Sequence, residues 1–77
     1  MIGKEYKRRL EAVRRSLSRT YMTPERVMDR VYGKDYDPRL VKVRTARTRY
    51  HLDRLVEMGA AEVRTFGDRT MYRKVKE

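Results

Sequence analysis

The stretch Val43–Val75, VRTARTRYHLDRLVEMGAAEVRTFGDRTMYRKV, decides the fold. Within it Leu52, Leu55 and Val56 form an apolar helical face, and Gly59 stops the helix by taking the left-handed cap. Placing Leu52 and Leu55 inward puts Thr48 on the same side one turn earlier. Arg44, Arg47, Arg49, Tyr50 and Arg54 are then left on the exposed or flanking surface. Beyond Gly59, residues 62–66 and 69–75 have strand character and flank Gly67-Asp68, a two-residue hairpin signal. That turn puts Val63 opposite Tyr72 and Thr65 opposite Thr70 on one face. Arg64 and Met71 share the other face, with Phe66 opposite Arg69 near the tip. Val63 and Tyr72 are the ribbon positions expected to pack.

Working outward, residues 4–19 carry Tyr6, Leu10, Val13 and Leu17 at spacings of four, three and four, the stripe of an amphipathic helix. Seven basic and two acidic side chains surround that stripe. Thr20, Tyr21 and Met22 form a short extended link. Thr23 is then an N-cap, Pro24 suits the first helical position, and Glu25 suits the positive end of the helix dipole. This second helix runs over about residues 24–32, with Met28 and Val31 in the core and Gly33 as its left-handed cap. The segment GKDYDP, 33–38, is a turn-rich connection, longer than the tight turn of the simplest helix-turn-helix. The third helix starts either at once after Asp37-Pro38, giving about 39–58, or later, near Arg44 or Thr45. The chain is expected to be a single α+β domain of three helices followed by a two-stranded hairpin.

With 77 residues there is room for one modest core. Lys and Arg number 21 against 11 Asp and Glu, a net charge of +10. That balance favours a polyanionic partner, nucleic acid ahead of an acidic membrane surface. There is no Cys, so no disulfide or thiolate metal site can form. No apolar run has the length of a membrane span, and the start MIGKEYKRRL is too charged for a secretory signal, so a cytoplasmic location is expected. Asn and Gln are absent and Arg exceeds Lys by 15 to 6. Loss of thermolabile amides with abundant charge is the tendency of hyperthermophile proteins.

The order helix, link, helix, turn, helix, hairpin resembles the winged helix-turn-helix family of DNA-binding domains, in the manner of small archaeal-type transcriptional regulators. Three segments carry the resemblance: the Thr23-Pro24-Glu25 start of the second helix, RYHLDRLVEMGA at 49–60, and the EVRTFGDRTMYRKV ribbon at 62–75. In that family the helix ending in L-x-x-L-x-x-x-G, here Leu52, Leu55 and Gly59, is the recognition helix, and the ribbon after it is the wing. The sequence departs from the pattern in its long 33–43 connection, and no dimer helix is expected after the wing. The resemblance implies double-stranded DNA as partner, with the third helix in the major groove and the wing on adjacent backbone.

Residues 39–54 hold six basic side chains and one acidic, and like charges at helical spacing repel unless a polyanion relieves them. Arg47 or Tyr50 is expected at base edges, and Arg44, Thr45 and Arg49 at phosphates, with Arg54 flanking them. On the ribbon, Arg64 and Arg69 are candidates, Arg69 for the backbone or the minor groove. Arg73 faces Glu62 and is expected to form a cross-strand ion pair. His51 is the only His and is read as partly buried packing, because a metal needs more ligands. No paired carboxylates, activated nucleophile or phosphate loop emerges, so neither enzymatic activity nor a cofactor is expected. Structured RNA, as for a ribosomal-type winged-helix protein, and a protein–protein module are the competing readings. A monomer is favoured over a homodimer formed through the first helix.

Overall fold

The computed structural model describes residues 3–33 and 37–75. The chain is α+β. Three helices, α1 (Lys4–Ser16), α2 (Pro24–Tyr32) and α3 (Val41–Glu57), precede an antiparallel hairpin of β1 (Ala61–Phe66) and β2 (Arg69–Lys74). A short 3₁₀ turn, Pro38–Leu40, leads into α3. Half of the GKDYDP connection, residues 34–36, lies outside the described residues.

Each boundary has a local cause. The helix α2 begins where the Thr23 side chain accepts the Arg26 N–H at 3.3 Å, with Pro24 at the first helical position. The early start of α3 is the one adopted. Asp37 Oδ1 accepts the Arg39 N–H at 3.0 Å, and Pro38 supplies the fixed φ that launches the turn. At its far end the Ala60 N–H reaches Leu55 O at 2.8 Å and the Gly59 N–H reaches Val56 O at 3.0 Å. This paired closure needs a left-handed residue, and Gly59 provides it at φ 78°. Gly67, at φ 64° with no positive φ at Asp68, gives the hairpin turn that matches the twist of its strands.

The first helix is shorter than the periodicity predicts. It ends at Ser16 rather than about 19, and Leu17 turns extended at φ −74°, ψ 141°. Ser16 Oγ donates back to Ala12 O at 2.8 Å, and the Ser18 hydroxyl bonds to both O and N–H of Thr20. Hydroxyls that offer the backbone a turn compete with the helix. Leu17 still reaches the core, but from beyond the helix end.

The core gathers Val13, Leu17, Met22, Val27, Leu52, Leu55, Ala61 and Tyr72, flanked by Leu10, Val31, Val56 and Ala60. Met28 is also buried. The register of the ribbon matches the sequence expectation pair for pair, including Val63 with Tyr72 and Phe66 with Arg69. Its packing does not. Tyr72 is 1% exposed but Val63 is 44% exposed, and in β1 only Ala61 is buried. The reason is reach: the ribbon rests on the helices by its base, and β1 leaves the core after one residue. The link before α2 is more than a spacer. Met22 and Tyr72 exchange both backbone hydrogen bonds, at 2.7 and 2.8 Å, and the Lys74 N–H reaches Ser18 O at 2.8 Å. The 18–22 segment therefore covers the outer edge of β2.

Truncating Leu52, which is fully buried, to Ala is expected to cost about 2–5 kcal/mol in urea unfolding. Val63→Ala should stay within about 0.5 kcal/mol, as for an exposed position. Comparable losses at the two sites would show that the ribbon packs along its length.

Candidate nucleic-acid interface

At about 100° per residue, Thr48, Leu52 and Leu55 share the side of α3 that faces the core, and all three are buried. His51 joins them, with its Nδ1–H donating to Arg47 O at 2.7 Å and its ring against those of Tyr6 and Tyr50. The open side carries Lys42, Val43, Ala46, Arg47, Arg49 and Tyr50, followed near the C-terminus by Asp53 and Glu57. Charge is thus divided along the helix, basic in its first half and mixed in its second, where Arg54 stands between Asp53 and Glu57.

That division is unfavourable for the helix itself. Its N-terminus has no side-chain cap and no acidic residue in the first turn. Lys42 and Arg44 instead sit near the positive end of the helix dipole. A nearby anion would offset both the dipole and the mutual repulsion of the cations.

The expected site residues divide into two groups. Arg47, Arg49, Tyr50, Arg64 and Arg69 are exposed. The guanidinium groups of Arg47 and Arg69 make no ion pair among the described residues. Arg44 is half-buried, its guanidinium carbon 4.8 Å from the Tyr32 ring centre. Thr45 turns toward α2, where its hydroxyl meets Met28 Sδ at 3.3 Å, because its helical phase falls beside the core stripe. Arg54 is engaged with its own fold: Nε donates to Tyr6 Oη at 3.2 Å, and Nη1 lies 2.7 Å from Glu57. These contacts hold the Arg54 guanidinium above its ordinary pKa, the Tyr6 hydrogen bond contributing most.

Arg49 and Arg69 come together across a cleft of about 540 Å³ lined also by Thr23, Pro24, Glu25, Asp68 and Thr70. Helix and ribbon thereby present one arginine each to a shared concavity at the start of α2. Neither Lys42 nor this cleft was singled out from the sequence. Lys42 is legible in retrospect, seven residues before Arg49 on the same helical stripe.

On the outer ribbon face, Tyr21 packs edge-on against Phe66 at 5.2 Å between ring centres. The guanidinium carbons of Arg73 and Arg64 lie 4.7 and 6.0 Å from the Tyr21 ring centre. Arg73 also pairs with Glu62 at 2.8 Å, as its cross-strand position predicts.

Tyr72 couples the ribbon to α3 through a 2.6 Å hydrogen bond to Asp53 Oδ1. Burial, reinforced by the Asp53 carboxylate, pushes the phenol up to about 12, while neighbouring Arg49 opposes the shift. Among the described residues no helix is long and apolar enough to cross a membrane. Comparison with protein-family models, curated proteins and solved structures gives no match.

Because the folded state holds the Tyr72 proton more tightly than the unfolded chain, its contribution to stability is complete below pH 10 and is lost as pH rises from about 10 to about 12. Tyr72→Phe should remove that part of the alkaline transition. At neutral pH it should cost about 1.5–3 kcal/mol through the lost hydrogen bond to a carboxylate. An unchanged alkaline midpoint in the variant would refute the assignment.

Proposed function

We propose that this chain is a winged-helix nucleic-acid-binding protein whose partner is double-stranded DNA, with no catalytic role. In this reading α3 enters the major groove and the β1–β2 ribbon lies along the adjacent backbone, as in a small transcriptional regulator. The observation that carries the reading is the shared cleft, where Arg49 of α3 and Arg69 of the ribbon face one concavity. A groove-bound helix and a backbone-bound ribbon need cations in that relation, since phosphate contacts fix register and orientation.

Two further features support it. The first turn of α3 carries Lys42 and Arg44 and no acidic residue, an arrangement that costs stability and that phosphates would relieve. The interacting side chains sit on a helix and a paired strand, so their spacing is fixed before the partner arrives. Many members of this fold class read two half-sites as dimers. Here the Tyr6–Leu17 stripe is taken up by the chain's own core, with Val13 and Leu17 buried, which favours a monomer.

The Tyr21–Phe66 pair with Arg64 and Arg73 favours a second reading, structured RNA, because unstacked bases lie against aromatic rings and guanidinium planes. Competition between duplex DNA and structured RNA separates the two. Preference for the duplex is expected.

Duplex affinity should fall steeply and linearly on a log–log plot against salt, with a slope of about −0.9 for each phosphate neutralised. Arg49→Ala and Arg69→Ala should each flatten that slope by about 1. A salt-independent affinity would defeat the reading.

A further inference from the structure

The open face of α3 is not uniformly basic, and its pattern points to what it reads. Val43, Ala46 and Tyr50 follow one another at i, i+3 and i+7. At about 100° per residue they fall within about 60° of one another. Their centre lies about 180° from that of the buried Thr48, Leu52 and Leu55. They are therefore the part of α3 farthest from the core. Val43 is 49% exposed, Tyr50 56% exposed, and Ala46 is exposed as well.

The exposed cations stand at the margins of this stripe. Lys42 and Arg49 lie about 80° to one side, toward the cleft with Arg69, and Arg47 lies about 70° to the other. Asp53 and Glu57 occupy the next turns of the open face, so the stretch suited to a polyanion ends near Tyr50.

A helix in the major groove presents its outermost stripe to base edges and its flanks to the two phosphate walls. Here the outermost stripe is apolar and the flanks are cationic. The apolar group that unmodified DNA offers in the major groove is the C5-methyl of thymine. We propose that Val43, Ala46 and Tyr50 form a thymine-methyl reading surface, and that Lys42, Arg47 and Arg49 hold the flanking phosphates. This inference rests on the reading of α3 as the groove-entering element. Of the two residues the sequence placed at base edges, it keeps Tyr50, moves Arg47 to the phosphates, and adds Val43 and Ala46.

The test compares binding of the full chain to two duplexes of equal length, poly(dA-dT) and poly(dA-dU), at one salt concentration. The two carry the same phosphates and differ in the C5-methyl. Affinity should be about fourfold weaker for each contacted methyl removed, the usual worth of one buried methyl group. Salt slopes should be the same. A chain carrying both Val43→Ala and Tyr50→Ala should bind the two duplexes with a ratio near one, and circular dichroism should show its helix content unchanged. Equal affinity of the unaltered chain for both duplexes overturns methyl reading and leaves duplex binding standing. Failure to bind either duplex overturns both. An undiminished ratio in the double variant overturns the assignment to these residues.

Discussion

The molecule depends on the way Tyr72 is held. Its ring is in the core, its backbone is paired on both hydrogen bonds with Met22, and its hydroxyl bonds to Asp53 on α3. A two-stranded hairpin by itself is marginal in water. This one stands because a residue of its second strand is also a core residue. The same contacts join the α1–α2 link, the third helix and the ribbon at one place, so the relative position of α3 and the ribbon follows from core packing. Arg49 lies beside the same phenol, which brings the start of the charged surface into direct contact with the residue that fixes the fold.

Around that anchor the chain sets two demands against each other. Helix formation at α3 would be helped by acidic residues in its first turn, and none follows the Asp37 cap of the turn before it. The stability of α3 must instead come from the buried side, Thr48, His51, Leu52 and Leu55, and from the closure at Gly59. α1 shows the contrasting arrangement. It has Glu5 in its first turn and Arg14 and Arg15 in its last, in accord with its dipole. Arg15 also lies 3.4 Å from Glu11. Both helices are strongly basic and both carry cations in the first turn, but only α1 offsets them there with an acidic residue.

The features legible in the sequence are those set by neighbours along the chain. Thr23-Pro24, Gly59 and Gly67-Asp68 each carry their own geometry, and the structure uses all of them. The hairpin register followed from a two-residue turn, and the inward stripe of α3 from its period. Features that arise from meetings between distant segments were not legible. Nothing near Met22 signals that its backbone pairs with Tyr72, and nothing near Val63 signals that the core ends before it. The placing of Thr45 against Met28 and of Arg54 against Tyr6 likewise depends on where α2 and α1 pack. An arginine count cannot distinguish a guanidinium held by a tyrosine from one facing solvent.

The ribbon is held at its base by Tyr72 and propped near its tip by Tyr21 against Phe66. From Tyr72 to the turn it extends about 10 Å with little core beneath it, at the usual rise per strand residue. The opening between Arg69 and α3 is therefore a bracket pinned at two points, one in the core at Tyr72 and one on the outer ribbon face at Tyr21.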